Sequence, residues 1–129
     1  MILVDTSVWI DHLRKPEPRL VAALEAGQAL IHPFVVGELA CGNLKNRVEL
    51  LSLLLDLPPA PVATDAEALG FTDRRELMGR GIGYLDVHLL ASAALAGTAR
   101  LWTRDKRLAA VAEGLQLNFV ACGQSGLKG

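Results

Sequence analysis

The chain has 129 residues, of which 51% are hydrophobic and 21% are charged. This composition is typical of a folded globular domain and excludes a disordered chain. Its length predicts one domain over residues 1–129. The formal net charge of −1 provides no global argument for nucleic-acid binding. The longest apolar stretch, from Leu85 to Ala99, contains Asp86 and His88, and no signal-peptide pattern precedes it. We therefore expect a cytoplasmic protein that does not associate with membranes.

Predicted strands and helices alternate along the chain. The expected strands share short apolar runs and cover residues 2–5, 29–32, 60–63 (the weakest), 100–103 and 116–120. The expected helices lie between them, over residues 7–14, 17–26, 34–41, 46–56, 64–79, 85–96 and 105–113. This order predicts an α/β fold with a five-stranded parallel sheet flanked by helices on both faces, and all strand carboxyl ends at one rim.

Four acidic residues stand in apolar surroundings. Asp5 ends the first strand and Asp105 follows the fourth, while Glu38 and Asp86 lie at or near the starts of apolar helices. Each has a local alternative, as a helix cap, a first-turn acid or a solvent-facing side chain. Together they converge on one rim, where they would repel one another unless a divalent cation held them. Oxygen ligands without His or Cys favour Mg²⁺ or Mn²⁺.

Four segments carry a family resemblance. The stretches "ILVDTSVWID", "HPFVVGELACG", "GYLDVHLLASAAL" and "LWTRDKRLAAVA" resemble the successive acidic motifs of PIN-domain ribonucleases, and most closely the VapC-type toxins of bacterial toxin–antitoxin modules. The resemblance spans residue 2 to about residue 121. It implies that Asp5, Glu38, Asp86 and Asp105 form the catalytic and metal-binding quartet. It also implies a supporting role for the hydroxyls of Ser7 and Thr103 beside the metal or the scissile phosphate.

The same resemblance implies an activity and partners. The expected reaction is Mg²⁺- or Mn²⁺-dependent hydrolysis of RNA, which leaves a 5′-phosphate and a 3′-hydroxyl. The expected partners are a second copy of the chain, in a homodimer, and a cognate VapB-like antitoxin that lays a C-terminal segment across the acidic groove.

Basic residues of the second half form clusters with two open interpretations. They could contact RNA phosphates near the metal rim, or they could form an ordinary solvated face. The residues concerned are Arg104, Lys106 and Arg107, with Arg74, Arg75 and Arg80 as an extension.

Other residues that could carry chemistry have simpler interpretations. We expect His88 to be a surface or hydrogen-bonded residue rather than a metal ligand. The same is expected of His12 and His32, which lack metal-ligand spacing to another His or Cys. Trp9 and Trp102 are expected to pack in the core rather than stack on bases. Cys41 is expected to be a small core residue, and Cys41 and Cys122 are expected to be reduced thiols.

Three competing functions remain open from the sequence. A phosphatase or receiver-type fold also places aspartates on a sheet rim, but Asp5 is followed by Thr6 and Ser7 without a second aspartate. A non-catalytic PIN-like module would bind RNA or protein without cutting. A housekeeping RNA-processing PIN nuclease would cut RNA without acting as a toxin.

Overall fold

A computed structural model describes residues 1–120 of the chain. Within that range, the three strands are β1 (Ile2–Val4), β2 (Ala29–Leu30) and β3 (Arg100–Trp102). The helices of the same range are α1 (Thr6–Arg14), α2 (Pro18–Glu25), α3 (Pro33–Ala40), α4 (Arg47–Leu55), α5 (Asp65–Arg75), α6 (Tyr84–Ala96) and α7 (Lys106–Gly114). In this range no helix has both the length and the apolar character that a membrane span requires.

The sheet is parallel, with the order β2-β1-β3. Ile2 pairs with Ala29 on one side of β1 and with Arg100 on the other. Leu3 and Val4 are completely buried, although neighbouring side chains of a strand point to opposite faces. Both faces of β1 are therefore covered, as its unbroken apolar sequence predicts.

The expected α/β class with a parallel sheet is confirmed, but the expected five strands are wrong. Residues 60–63 form no strand. The pairing here is a single isolated bridge between Pro59 and Ile31, the residue that follows β2. Prolines at positions 58, 59 and 61 supply no N–H group, so they cannot continue a ladder. Residues 116–120 likewise form only an isolated bridge, between Leu101 and Asn118. Gln116 adopts a φ of +60° just before that bridge, which turns the chain away from an extended path.

Most of the expected helices form within a residue or two of their predicted ends. The capping box that begins α5 is present, because Thr64 Oγ1 accepts the N–H of Glu67 at 3.0 Å and the Glu67 carboxylate accepts the N–H of Thr64 at 2.9 Å. Helix α5 nevertheless ends at Arg75 rather than near residue 79, since Glu76 takes the left-handed conformation.

The minor predictions have mixed outcomes. Trp9 and Trp102 are buried, which confirms their packing role. Cys41 is exposed, so its expected core position is wrong: it is the cap residue that follows α3 and lies in the turn. Cys122 lies outside the described residues.

Candidate active site

Asp5 sits where β1 passes directly into α1. Its backbone N–H donates to Trp102 O at 2.9 Å, which ties the end of β1 to the end of β3. Its side chain caps α1 by accepting the N–H of Thr6 at 2.8 Å. Asp5 is 7% exposed, so this carboxylate is anchored by the fold while one edge faces the rim. The helix-cap interpretation of Asp5 is therefore correct, and it is compatible with membership of the acidic group.

Two hydroxyl groups hold the second oxygen of Asp5. Ser7 Oγ donates to Asp5 Oδ2 at 2.9 Å, and Thr103 Oγ1 donates to the same atom at 2.7 Å. Each hydroxyl oxygen then accepts a backbone N–H from the loop after β3: Ser7 from Arg104 at 2.9 Å, and Thr103 from Asp105 at 3.0 Å. Each hydroxyl hydrogen is thus directed at Asp5, and the network links α1 to the start of α7.

Glu38 and Asp105 are exposed and each is oriented by a nearby donor. Glu38 Oε1 accepts the hydroxyl of Thr6 at 2.8 Å, a contact that sequence analysis did not find. The position of Thr6 directly after Asp5 is the sequence feature that could have indicated this contact. Asp105 is the N-cap of α7 and accepts the N–H groups of Arg107 at 2.9 Å and Leu108 at 3.1 Å. Its expected alternative role as a cap is therefore real as well.

Asp86 occupies the first turn of α6, where its Oδ2 accepts the N–H of Gly83 at 3.0 Å. Burial raises the pKa of its half-buried carboxyl, and the negative charges of Asp5, Asp105 and Glu38 raise it further against the Gly83 hydrogen bond. The fold thus places each of the other three predicted acids within electrostatic range of Asp86. The four acids come from four separate elements of the chain.

The chemistry of the donor set suits a hard divalent cation. Among residues 1–120, no three acidic, histidine or cysteine side chains are already grouped as metal ligands. Mg²⁺ commonly binds through only one or two protein carboxylates and retains its waters. The negative charges of Asp5, Asp105 and Glu38 that act on Asp86 would be offset by an added positive charge. The residues therefore fit such an ion.

The basic residues predicted to contact RNA have different surroundings. The guanidinium of Arg104 lies 2.7 Å from Glu17 and 3.2 Å from Asp11, and 5.5 Å above the ring of Trp102. Arg104 would have to exchange these partners to bind RNA. Arg107, Lys106 and Arg80 are exposed and form no ion pair within the described residues.

Arg74 and Arg75 lie elsewhere. They line a cavity of about 410 Å³ between α5 and the last turns of α6, beside Ala94 and Leu95. Asp86 is at the other end of α6, about 12 Å away along the helix axis at 1.5 Å per residue. Their contact with RNA stays a prediction.

The hydrogen bonds of His12 and His32 are made to residues outside the acidic quartet. His12 Nδ1 accepts the N–H of Glu17 at 3.0 Å. His32 bonds Phe34 N and Ser92 at 3.0 and 3.1 Å, and burial lowers its pKa to about 4. Both match the expectation.

His88 does not match it. This residue is 2% exposed, and neither ring nitrogen makes a hydrogen bond within residues 1–120. Its Nε2 lies 3.3 Å from Asp65 Oδ1. The ring is enclosed by Phe34 and Tyr84, with centroids at 4.9 and 4.6 Å. The prediction of a surface residue is therefore wrong, because aromatic packing buries the ring, and the polar contact of Nε2 is with Asp65.

Comparison with known proteins agrees with this geometry. The sequence matches the PIN domain family over residues 2–114. It is 51% identical over 127 residues to ribonuclease VapC32 of Mycobacterium tuberculosis, in both strain CDC 1551 / Oshkosh and strain H37Rv, covering 98% of this chain and 94% of the relative.

Two solved structures share the fold. The crystal structure of FitAcB from Neisseria gonorrhoeae matches with a TM-score of 0.60 at 22% identity, covering 88% of this chain and 94% of that chain. The structure of FitAB bound to an IR36 DNA fragment matches with a TM-score of 0.61 at 24% identity, covering 88% and 91%. The family match, the VapC32 identity and the shared architecture agree, and the chain belongs to the PIN domain family as a homologue of the VapC ribonucleases.

Proposed function

We propose that this chain is a divalent-metal-dependent endoribonuclease and the toxin of a toxin–antitoxin module. The proposal is supported by the negative charges of Asp5, Asp105 and Glu38 that act on Asp86, and by the positions of Asp5 and Asp105 after the parallel strands β1 and β3. Ligands of open α/β sheets bind at that rim. The 51% identity to ribonuclease VapC32 supports RNA as the substrate.

In this proposal Asp5 and Asp86 would hold a Mg²⁺ or Mn²⁺ ion, and Glu38 and Asp105 would complete the pocket directly or through water. The chemistry that such an ion would supply is activation of a water for attack on the phosphodiester and compensation of negative charge on the phosphate. The exposed positions of Glu38 and Asp105 leave the pocket open on the side from which RNA would approach.

Ser7 and Thr103 act on Asp5 in this mechanism. By donating both hydroxyl hydrogens to Oδ2, they fix the orientation of the Asp5 carboxylate. Because they also accept the N–H groups of Arg104 and Asp105, they fix the start of α1 relative to the start of α7. Thr6 orients Glu38 in the same way.

Cleavage of total cellular RNA by the purified chain tests the activity. We expect discrete fragments with Mg²⁺ or Mn²⁺, and none with EDTA or with Asp5→Ala. The sharper pair of variants is Asp86→Asn against Asp73→Asn. Asp73 is an exposed acid on α5, outside the quartet. Loss of cleavage only in Asp86→Asn supports the proposal. A folded, metal-loaded protein that cuts no RNA would instead favour the non-catalytic module.

An antitoxin fits the proposal because an apolar groove opens beside the acids. The groove has a volume of about 650 Å³ and runs from α1 to α4. It is lined by Ile10, Leu13, Leu39, Leu44 and Leu50, and it reaches Glu38. A peptide that buries apolar side chains there and directs an arginine to the carboxylates would block the site. Growth arrest on expression, rescued by the product of a neighbouring gene, distinguishes a toxin from a housekeeping nuclease.

We also propose a homodimer that acts in the cytoplasm. Light scattering coupled to size exclusion tests the dimer: a mass of about twice 13.8 kDa supports it, and a monomer at all concentrations rejects it. Cell fractionation tests the location.

A further inference from the structure

The glycine-rich loop of residues 79–83 precedes α6 and meets a basic side chain. Gly81 in this loop adopts a φ of +80°, and a Cβ atom built on it would lie 2.9 Å from Cδ and 3.2 Å from Nη1 of Arg107. The side chain of Arg107 therefore lies directly against the backbone of Gly81. Any other residue at position 81 would displace it, in addition to straining the backbone.

Arg107 spans the two elements that carry Asp86 and Asp105. It is the second residue of α7, and its backbone N–H donates to Asp105 at 2.9 Å. Its side chain crosses to the loop whose last residue, Gly83, donates its N–H to Asp86 at 3.0 Å. The guanidinium stem thus lies between the starts of α6 and α7, at the edge of the acidic quartet.

The guanidinium of Arg107 is also available for a ligand. It forms no ion pair with any of residues 1–120, whereas neighbouring Arg104 is held by both Glu17 and Asp11. A free guanidinium presents planar N–H donors that match two oxygens of a phosphate. Of the two arginines that flank Asp105, Arg107 is therefore the one free to bind phosphate.

We infer that Arg107 binds a backbone phosphate of the RNA at the edge of the acidic quartet, and that Gly81 is the positioning residue that seats it there. The inference rests on the proposed ribonuclease function. It assigns to Gly81 a role in substrate binding, in addition to the hydrogen bond that Gly83 of the same loop donates to Asp86.

A double-mutant cycle tests whether Gly81 positions Arg107. Gly81→Ala and Arg107→Gln should each raise the KM for RNA by about tenfold, the cost of one charged hydrogen-bonding group, with a smaller change in kcat. The double variant should resemble either single variant, because both remove the same contact. If Gly81→Ala raises KM equally with and without Arg107, the inference is overturned.

Gly79→Ala is the matched control. Gly79 has a similar φ of +69°, but a Cβ atom there would meet nothing within 4 Å. It carries the same backbone penalty without displacing a side chain. We expect a similar fall in the unfolding midpoint of Gly79→Ala and Gly81→Ala, and a change in KM only for Gly81→Ala. A KM that rises equally in both would assign the effect to backbone strain and overturn the inference.

RNA binding without cleavage separates this inference from the proposed function. The probe is a short fluorescein-labelled RNA of random sequence, measured by anisotropy in EDTA at several salt concentrations. Loss of one phosphate contact lowers the salt slope by about 0.7 on a single strand. We expect that reduction in Arg107→Gln and in Gly81→Ala, even if wild-type protein cuts no RNA. An unchanged slope, or no binding by folded wild-type protein, overturns the inference.

Discussion

Replacing Glu17 by glutamine tests the ion pair that holds Arg104 beside the acidic quartet. Glu17 precedes α2 and its carboxylate accepts the N–H of Arg19 at 3.1 Å while meeting Arg104 at 2.7 Å. The pKa of Glu17 is lowered from 4.5 to about 2. The largest cause is the hydrogen bond from the backbone N–H of Arg19, and the guanidinium groups of Arg19 and Arg104 lower the pKa further. Glutamine keeps one acceptor oxygen for the N–H of Arg19, and it replaces the charged oxygen that faces Arg104 by a neutral amide group.

The expected loss of stability follows from that pKa. A carboxyl whose pKa falls from 4.5 to about 2 on folding stabilises the folded state by at most about 3 kcal/mol at pH 7. The side chains of Arg19 and Arg104 are 41% and 34% exposed, so solvent screening reduces this to about 1 kcal/mol. Glu17→Gln should therefore lower the unfolding midpoint by about 3–5 °C at pH 7.

The stabilisation by Glu17 depends on pH. Because the folded pKa is depressed, the contribution of Glu17 is fully present above its unfolded value of 4.5 and is lost as the pH falls toward 2. The difference between wild type and Glu17→Gln should shrink over that range in urea unfolding followed by circular dichroism. Glu25→Gln is the control, since Glu25 forms no ion pair in residues 1–120. A difference that stays constant from pH 7 to pH 3 would refute the ionic explanation.

The same variant also tests the prediction that Arg104 contacts RNA. With Glu17 neutral, Arg104 retains only Asp11 as an acidic partner. If Arg104 binds RNA, its release should tighten RNA binding in the anisotropy assay. Unchanged binding would leave Arg104 as a structural residue that joins α1, α2 and the loop after β3.

Three further predictions concern single positions. Asp86→Asn should raise the unfolding midpoint at pH 7 in EDTA. Burial and the neighbouring acids raise the pKa of Asp86, so its ionised form destabilises the fold above that pKa. The gain in midpoint should vanish near pH 3, and a lower midpoint at pH 7 would contradict the prediction. Thr64→Ala should cost about 1 kcal/mol in urea unfolding through loss of the α5 cap, and no change would show that the cap is dispensable. His88→Leu should change stability by less than about 1 kcal/mol, because the polar contact of Nε2 is with Asp65, whose side chain is 81% exposed; a loss above about 2 kcal/mol would reveal an energetically important contact of the imidazole.

Local sequence features predicted much of this protein correctly. The apolar run before Asp5 specified a strand buried on both faces, and Thr64 with Glu67 specified a helix start, because strand patterning and capping depend on neighbours within four residues. The positions of Asp5 and Asp105 relative to their strands also placed them on one rim, since parallel strands share the direction of their carboxyl ends.

The remaining features depend on residues far apart in the chain. Ser7 and Thr103 are separated by 96 positions yet donate to one oxygen of Asp5, and nothing local specifies that pairing. Whether residues 60–63 and 116–120 extend the sheet depended on backbone donors and dihedral angles beside β2 and β3. The burial of His88 and the ion pair between Arg104 and Glu17 likewise depend on which side chains the packed helices bring together. Residue type and spacing thus located the acids, while packing set their partners, their exposure and their charge environment.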